Sequence, residues 1–488
     1  MSANMQIYKD SQPFLSPPKV SRLSPNLGTL QKRIFETCKR SNWIKSPPKH
    51  IFALVSSTLK YKAYIEYIIK KIHILEHESV KLGKLHEHMI MLLLHDLVFS
   101  RAKRIQSHKH PWKDIVMSYQ PKIKAAVKRL LVKHGAKSVD ELKELVEDDD
   151  TPIRWFRVNL LRTNKKDLLS QQEFKRLERV YTLSDVKTKG PGVIYYDEYV
   201  TNLFGVHPRE KLTSTKSYKE GKIIIQDRAS CFPAEILNPT GSDVIIDACA
   251  APGNKTTHLA SKLKGKSKSV IAFEKDNTRI NTIKMMVAKA GGLGVEYNEE
   301  NFKDYKPSQN DNACITIHHG DFTESDPNSE EFKKVTGILL DPSCSGSGIF
   351  GRSFDEQSQD FMAEKKNEER LRKLSAFQYR IVKHAMCFPK SKKIIYSTCS
   401  INNEENEIVV RKLLEDPVVK KQGWKLMERL DVLENWPRRG RPEVFIGMNY
   451  YGKDIDENLA ENLAGGCVRA LPRTDGGIGF FAAAFYRE

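Results

Sequence analysis

The sequence predicts an α/β fold in the C-terminal half of the chain, a parallel sheet with helices on both faces, preceded by a separate helical domain. From residue 221 onward, short apolar runs alternate with helical stretches, which is typical of parallel strands joined by crossover helices. Between residues 28 and 146, apolar residues instead recur every three or four positions, the period of helices. With 488 residues, the chain is long enough for about two to four domains.

The N-terminal region begins with residues 1–27, which are rich in proline and serine. This composition predicts a disordered tail. Residues 28–147 follow as the helical domain, in which apolar side chains repeat at helical spacing around Ile51 and again around Met89. The acidic run 147–150, followed by Pro152, marks its predicted end.

Nearly all of the net positive charge lies in this region. Residues 1–139 hold 26 lysines and arginines against 8 aspartates and glutamates, and the whole chain has a net charge of +19. This segregation predicts a polyanion-binding domain, in our interpretation an RNA-binding one, joined to a nearly neutral domain. Basic clusters such as 101–104 are interleaved with aromatic residues such as Trp112. Solvated helix faces are the alternative explanation, and an acidic membrane surface is a weaker one.

A small α+β module is predicted between the helical domain and the parallel sheet, over residues 148–220. Strand-like runs occupy residues 153–160 and 192–196, and the segment around them is mixed in character.

Residues 221–488 form the predicted α/β domain. Its strands are five short apolar runs, at residues 244–247, 269–273, 314–318, 337–340 and 393–396. Its helices lie between or after them, at residues 256–263, 277–290, 367–388 and 404–414. The apolar run 479–486 suits a late strand of the same sheet, and the polar segments 298–312 and 324–331 are predicted surface insertions.

Composition excludes several other classes of protein. The N-terminus lacks the apolar core of a signal peptide. The most apolar stretch, 89–99, is too short for a membrane span and contains His95 and Asp96. No two of the eight cysteines form a CxxC pair, so we expect neither structural zinc nor a disulfide framework, but reduced thiols.

The first predicted site residues follow strand 244–247, because ligands of open parallel sheets lie beyond the carboxyl ends of the strands. A P-loop is excluded because Asn254 stands where a glycine must precede Lys255, and the dinucleotide pattern GxGxxG is absent. The small residues of this turn predict close approach of a ligand without a phosphate cradle. The turn residues assigned to cofactor binding are Cys249, Ala250, Ala251, Pro252, Gly253, Asn254 and Lys255.

Two carboxylates follow the next two predicted strands. Glu274 stands where a carboxylate accepts hydrogen bonds from the ribose hydroxyls of a nucleoside, and Asp321 stands where it could accept an adenine amino proton. Each acid alone is equally well explained as a helix cap. In register at successive strand ends, the two suggest a nucleoside without phosphates, and S-adenosylmethionine is the predicted cofactor.

Asp341, Cys344 and Cys399 follow the last two parallel strands. A lone buried cysteine is usually structural, but two strand-end thiols beside a methyl donor suggest one chemistry. A thiolate that adds to carbon 6 of cytosine makes carbon 5 able to accept a methyl group. An acid near ring nitrogen 3, the role predicted for Asp341, stabilises the adduct, and a base then removes the proton from carbon 5.

These residues resemble those of the Sun (Fmu) family of RNA cytosine-5 methyltransferases, whose catalytic domain is a Rossmann-like, S-adenosylmethionine-dependent sheet. The matching runs are residues 225–230, 247–256, 341–346, 397–400 and 469–481. The resemblance implies that Cys399 is the nucleophile and that Cys344 assists release of the methylated base. It also implies that residues 249–255, Glu274, Asp321 and Asp341 line the cofactor and base pocket, although many members have Asp where this chain has Glu274.

Three further runs, 254–258, 345–352 and 436–440, are similar to the branch of the family that methylates large-subunit ribosomal RNA. This implies ribosomal RNA or a pre-ribosomal particle as the partner, and ribosome biogenesis in the nucleolus as the process. We expect a monomer that contains no metal and contacts no membrane. Two alternatives stay open: a non-catalytic, RNA-clamping assembly factor, and a cytosine-5 methyltransferase of another RNA such as tRNA. A methyltransferase of proteins or small molecules is disfavoured by the basic domain and the two cysteines.

Overall fold

A computed structural model describes residues 5–15, 30–78, 87–100, 102–107, 110–142, 153–293, 313–349, 361–450 and 452–488. These residues form two compact units, one up to residue 142 and one from residue 153 onward. The predicted boundary at the acidic run 147–150 lies outside the described residues, and so do Arg101 of the basic cluster and the predicted insertion 298–312.

The first unit is helical. Its α-helices are Gln6–Ser11, Leu30–Arg40, Pro48–Lys60, Lys62–Ile72, Ile74–His77, Glu87–Leu94, Pro111–Ser118 and Gln120–Lys133, with a 3-10 turn at Gln12–Phe14 and a π-helical turn at His95–Phe99. Ile51, Val55, Ile65 and Leu92 are fully buried in one core. The apolar spacing that predicts helices therefore also marks the faces that pack together.

The disordered tail predicted for residues 1–27 is wrong for residues 5–15. Met5 and Tyr8 are fully buried in the core of the first unit. The Tyr8 hydroxyl donates a hydrogen bond of 2.6 Å to Oδ2 of Asp96, and Asp10 accepts the backbone N–H of Ser46 at 2.8 Å. The prediction of disorder used the content of proline and serine. That content says nothing about a few large side chains, here Met5 and Tyr8, that complete a core. Residues 1–4 and 16–27 lie outside the described residues.

The second unit begins with a five-stranded sheet in the order β2-β3-β4-β1-β5. The strands are β1 Arg154–Val158, β2 Glu178–Val180, β3 Val193–Tyr196, β4 Leu203–Val206 and β5 Ile223–Ile225, with helices Lys165–Ser170, Gln172–Lys175, Leu183–Lys189 and Lys216–Lys219. The predicted limit at residue 220 is wrong, because β5 pairs with β1 and belongs to this sheet.

The second sheet of this unit has eight strands among the described residues, with the order β11-β15-β10-β9-β6-β7-β8 and β14 paired with β15. The strands are β6 Ile245–Asp247, β7 Val270–Glu274, β8 Ile315–His319, β9 Gly337–Leu340, β10 Lys393–Thr398, β11 Lys425–Leu426, β14 Cys467–Ala470 and β15 Phe480–Tyr486, and a separate hairpin is formed by β12 Asn449–Tyr450 and β13 Lys453–Asp454. Strands β8, β7, β6, β9 and β10 are parallel, and β15 runs antiparallel to β10.

Helices cover both faces of this sheet. They are Arg228–Leu237, Asn254–Lys262, Asn277–Ala290, Phe361–Ala385, Glu407–Glu415, Pro417–Lys421 and Glu457–Gly465. Neighbouring strand residues alternate between two cores: Ile245 packs with Leu259 and Ile283, whereas Ile246 packs with Val382 and Val410. The predicted Rossmann-like sheet with helices on both faces is confirmed, and β11 and β14 are strands that the sequence did not predict.

Candidate active site

The two candidate catalytic cysteines meet where β9 and β10 end. These strands are parallel neighbours, with Tyr396 paired to Leu340. Their continuations therefore emerge at the same edge of the sheet, Asp341 directly after β9 and Cys399 directly after β10. The Sγ atoms of Cys344 and Cys399 lie 2.9 Å apart, and neither cysteine forms a disulfide.

The thiol of Cys344 is held in its protonated form. Its hydrogen bond with Cys399 and its burial both raise the pKa of Cys344 well above its ordinary value. The negative charges of Asp341 and Glu405 act in the same direction. At neutral pH, Cys344 therefore presents a protonated thiol to the sulfur of Cys399, and either thiol can donate the hydrogen bond between them.

Asp341 accepts two hydrogen bonds from neighbouring elements. Nζ of Lys255 lies 2.6 Å from Oδ2 of Asp341, and Oγ of Ser397 donates to Oδ1 at 3.0 Å. Lys255 also donates to Oγ of Ser230 at 2.9 Å, and its side chain is only 12% exposed. Burial acts to lower the pKa of Lys255. The charge of Asp341, the hydrogen bond with Asp341 and the charge of Asp247 act together in the other direction, and the pKa lies above its ordinary value.

A buried carboxylate fixes the turn that carries Cys344. Glu405 is fully buried and accepts hydrogen bonds from the backbone N–H of Ser345 at 2.8 Å and from its hydroxyl at 2.6 Å. Gln378 donates to Glu405 and to the carbonyl of Ser343, both at 3.1 Å. The main chain on both sides of Cys344 is thus held by side chains from distant elements.

A backbone ladder ties the turn after β10 to the loop before β15. The N–H of Gly348 donates to the carbonyl of Cys399 at 3.0 Å, and the N–H of Gly479 donates to the carbonyl of Gly348 at 2.8 Å. A Cβ atom on Gly348 would lie 2.1 Å from the carbonyl oxygen of Gly479. Glycine is therefore required here by the close approach of two backbones.

The small-residue turn connects Asp247, at the end of β6, to the helix that begins at Asn254. Gly253 has a φ of +109°, which other residues rarely adopt, and an added Cβ would lie 3.3 Å from Ile283. Asp247 is buried and accepts a hydrogen bond of 2.7 Å from Thr256. Its burial raises its pKa to about 6. The far side of the turn is fixed by Arg157, whose guanidinium donates to the carbonyl of Asn254 at 3.0 Å.

Glu274 and Asp321 lie at neighbouring strand ends, as predicted. Glu274 is buried at the end of β7 and accepts the N–H of Asp276 at 2.9 Å. Asp321 caps the 3-10 turn Phe322–Glu324 and lies 3.2 Å from Nζ of Lys275. Partial burial acts to raise the pKa of Asp321, but its hydrogen bonds with Thr323 and the charge of Lys275 outweigh it and lower the pKa.

The structure thus places every predicted site residue along one edge of the sheet. Residues 249–255, Glu274 and Asp321 follow β6, β7 and β8, and Asp341, Cys344 and Cys399 follow β9 and β10. Lys255 connects the two sets through Asp341. Sequence reasoning missed this ion pair, and it also missed Glu405, Ser230 and Arg157. A signal existed for Glu405, since it lies only six residues after Cys399 in a polar turn, but nothing local indicates its contacts.

Comparison with known proteins identifies the family. A family model described as 16S rRNA methyltransferase RsmB/F matches residues 234–486. The 25S rRNA (cytosine-C(5))-methyltransferase rcm1 of Schizosaccharomyces pombe is 35% identical over 96% of this chain and 89% of its own length. This chain belongs to the Sun family of rRNA cytosine-C5 methyltransferases. The predicted family and enzyme class are confirmed.

The likeness to this Sun family extends into the first unit. A model described as the N-terminal domain of NOL1/NOP2/Sun domain family member 5 matches residues 49–143. The 28S rRNA (cytosine-C(5))-methyltransferase of Mus musculus is 31% identical over 90% of this chain and 84% of its own length. Among solved structures, the crystal structure of PH0851 covers 100% of both chains with a TM-score of 0.54 at 19% identity, which shows a shared fold.

Two further features bear on other classes of site, and both concern the described residues only. No helix within these ranges is both long enough and apolar enough to cross a membrane. No group of three or more His, Cys, Asp or Glu side chains within them is arranged to hold a metal ion.

Proposed function

We propose that this chain methylates carbon 5 of a cytosine in large-subunit ribosomal RNA during ribosome biogenesis, in the nucleolus, with S-adenosylmethionine as the methyl donor. The observation that carries the proposal is the 2.9 Å contact between the sulfurs of Cys399 and Cys344, beside the Lys255–Asp341 pair. The relatives named above support the substrate, because they match nearly the whole chain and are named as methyltransferases of 25S and 28S rRNA.

Cys399 is the nucleophile in this proposal. Its sulfur adds to carbon 6 of the cytosine, forms a C–S bond and leaves carbon 5 electron-rich. Cys344, whose raised pKa keeps it protonated, can donate a hydrogen bond to that sulfur and favour its thiolate form. In this proposal the same thiol also assists release of the methylated base, the role that the family resemblance gives it.

Asp341 and Lys255 act together on the cytosine ring. Addition at carbon 6 places negative charge on ring nitrogen 3, which a proton donor stabilises. Asp341 accepts hydrogen bonds from Lys255 and Ser397, and a carboxylate paired with an ammonium group accepts protons rather than supplying them. The acid role predicted for Asp341 therefore falls to the pair: Lys255 supplies the proton, and Asp341 accepts a hydrogen bond from the exocyclic amino group and orients the base.

The turn after β6 fits the methyl donor that the family implies. Oδ1 of Asn254 is buried and accepts no hydrogen bond within the described part of the chain, so an acceptor is available at the turn. Residues 249–255, with Gly253 in its left-handed conformation, would lie against the nucleoside, and Glu274 and Asp321 would hold its ribose and adenine. When bound, S-adenosylmethionine supplies an electrophilic methyl group at the sheet edge where Cys399 lies.

The first unit is the proposed RNA-binding domain. Helix Gln120–Lys133 buries Ile123, Ala126 and Leu130 and exposes Lys124 and Lys128. A basic helix face of this kind suits the phosphates of structured RNA. The target base must leave its stack to reach a thiol at the sheet edge, and we expect the enzyme to act as a monomer.

Covalent trapping tests the proposal. RNA that carries 5-fluorocytidine cannot lose its carbon-5 substituent, so a carbon-6 addition enzyme stays attached to it. We expect trapping of fragments of large-subunit ribosomal RNA, dependent on S-adenosylmethionine and on Cys399. Trapping only on tRNA would support the other cytosine-5 methyltransferase reading, and binding without trapping would support a non-catalytic RNA clamp.

A further inference from the structure

A pocket of about 320 Å³ lies in the second unit, apart from the cysteines and the cofactor turn. Four of the residues that line it are aromatic, and three are charged. The lining residues that matter here are Tyr181, Tyr195, Tyr199, Trp436, Arg228 and Glu198. This volume is at the lower end of the range of small-molecule sites, and apolar walls with a few polar groups are their usual composition.

Two elements connect this pocket to the candidate active site. Arg228 lines the pocket and begins the helix Arg228–Leu237, in which Ser230 accepts the hydrogen bond of Lys255 at 2.9 Å. Asp475 also lines the pocket. Four residues later, Gly479 reaches Cys399 through Gly348. The four residues from Asp475 to Gly479 span at most about 14 Å. An RNA strand whose target base occupies the active site can therefore also reach this pocket.

Arg228 is fixed as part of the wall. Its Nε lies 2.5 Å from Oδ2 of Asp197, which neutralises its charge. Its guanidinium lies 5.1 Å from the ring centre of Tyr199 and 5.0 Å from that of Trp436. Tyr199 and Trp436 pack edge to face, with ring centres 4.9 Å apart. Trp436 and Arg228 are buried, so this inner wall is rigid. The half-buried Tyr199 and the exposed Tyr181 are the rings on which a planar ligand can stack.

The rim supplies the groups that distinguish a nucleotide from other planar ligands. Tyr181 is 74% exposed, and the exposed Arg179 lies 5.0 Å from its ring centre, where it can meet a backbone phosphate. Glu198 is exposed and lies 3.5 Å from the hydroxyl of Tyr195. Burial raises the pKa of Tyr195 to about 12, so that hydroxyl remains a donor. The carboxylate of Glu198, at the mouth of the pocket, can accept hydrogen bonds from an exocyclic amino group.

We propose that this pocket binds a second nucleobase of the substrate RNA, one that carries an exocyclic amino group and lies near the target cytosine in the same strand. The base stacks on Tyr181 and Tyr199, donates hydrogen bonds from its amino group to Glu198, and leaves its phosphate beside Arg179. This proposal rests on the proposed function, because it takes RNA as the substrate. It adds that the enzyme reads a base other than the one it methylates.

Base removal on the RNA, combined with substitutions on the full-length chain, tests this proposal. The probe is the large-subunit rRNA fragment that the wild-type chain binds most tightly, with the base removed at one position at a time on either side of the target cytosine. We expect one position at which removal weakens binding about tenfold, the effect of losing one stacked base. Tyr181→Ala should weaken binding of the intact RNA similarly and be insensitive to base removal at that position.

Removal of the amino group alone tests the contact with Glu198. Replacing the base at that position by its analogue without the amino group should weaken binding to the wild-type chain but not to Glu198→Ala. Both substituted side chains are exposed, so the fold should be kept. Leu430→Ala and Glu434→Ala, at exposed positions outside the pocket, serve as matched controls and should behave as the wild type.

The outcomes separate this proposal from the proposed function. Trapping of 5-fluorocytidine RNA with no sensitive flanking position, or with equal sensitivity in the wild type and Tyr181→Ala, would overturn the pocket proposal alone. If one position is sensitive to base removal in the wild type but not in Tyr181→Ala, and 5-fluorocytidine RNA is not trapped, the pocket proposal would be supported and the proposed methylation overturned.

Discussion

Nζ of Lys255, in the first turn of the helix after β6, lies 2.6 Å from Oδ2 of Asp341, at the end of β9. The two residues are 86 positions apart in the chain and join the cofactor turn to the catalytic edge. Lys255→Met should therefore lower the methylation rate by about 100-fold to 10,000-fold, the usual contribution of a proton donor.

Lys255→Arg is the matched control, because it keeps the charge beside Asp341 but cannot release a proton. If Lys255 only positions Asp341, the arginine variant should keep most of the activity. If it supplies the proton, Lys255→Arg should fail as Lys255→Met does. The rate constant of a single turnover distinguishes the two, and full activity of Lys255→Met would contradict any role of this pair in catalysis.

The two cysteines should fail in different ways. Cys399→Ala removes the proposed nucleophile and should abolish both methylation and trapping. Cys344→Ala leaves the nucleophile but impairs release, so a covalent adduct should accumulate even on RNA without fluorine. Denaturing gels detect these adducts, and Cys387→Ala, at an exposed thiol, is the control. Adduct formation by Cys399→Ala would reverse the assignment.

Asp247→Asn should stabilise the protein near neutral pH. Burial raises the pKa of Asp247 to about 6 from an ordinary 3.8. Between these values the folded state holds a proton that the unfolded state releases, so the free energy of unfolding falls as pH rises from about 4 to about 6 and stays lower above this window. The amide does not titrate and keeps an acceptor for Thr256.

Urea unfolding at pH 4 and pH 7 measures this effect. The stability of Asp247→Asn relative to the wild type should rise by at most about 3 kcal/mol between the two conditions. Asp227, whose burial also raises its pKa to about 6, is present in both proteins, so its contribution cancels. Asp431→Asn, at an exposed position, should show no such rise, and parallel pH profiles for Asp247→Asn and the wild type would refute the prediction.

Tyr8→Phe should destabilise the first unit. Loss of the 2.6 Å hydrogen bond to Asp96 leaves a buried carboxylate short of a donor, which costs about 1 to 3 kcal/mol. Urea unfolding followed by a probe in this unit reports the change. Trp43→Phe, at a position that is 51% exposed, should be close to neutral. An equally neutral Tyr8→Phe would mean that residues 5–15 add little to the core.

RNA binding should depend on the exposed basic face of helix Gln120–Lys133. Lys103 already lies 2.9 Å from Asp140, so Lys124 and Lys128 are the cleaner pair to neutralise. Lys124→Gln with Lys128→Gln should weaken binding and reduce the slope of log affinity against log salt by about 1 to 2. Lys390→Gln in the second unit is the control. An unchanged slope would favour the interpretation of this face as simply solvated.

Apolar patterning was sufficient for the centre of the second sheet but not for its edge. Strands β6, β7, β9 and β10 are short, mostly apolar runs, because strands buried on both faces must be apolar, whereas β8 exposes Thr316 and His319. All five begin and end within two residues of their predicted limits. Strand β14 was missed because Arg469 interrupts its pattern. That arginine is buried, and Glu407, 62 residues away, accepts two of its hydrogen bonds at 2.6 and 2.5 Å.

The candidate site shows the same limit. Asp341, Cys344 and Cys399 were predicted to lie together because each follows a predicted parallel strand, and parallel strands bring their carboxyl ends to one edge of the sheet. The supporting contacts of Glu405 and Ser230 join segments distant in sequence, so no local pattern reports them. The pocket near Arg228 was missed for the same reason, since its aromatic walls come from the small sheet and from the segment around Trp436.

The most direct test is bisulfite sequencing of large-subunit ribosomal RNA from cells that lack this gene and from cells rescued with the wild-type chain or with Cys399→Ala. We predict that one 5-methylcytosine disappears without the gene, returns with the wild type and stays absent with Cys399→Ala. An unchanged methylation map in the deleted cells would contradict the proposed substrate, and restoration by Cys399→Ala would contradict the proposed nucleophile.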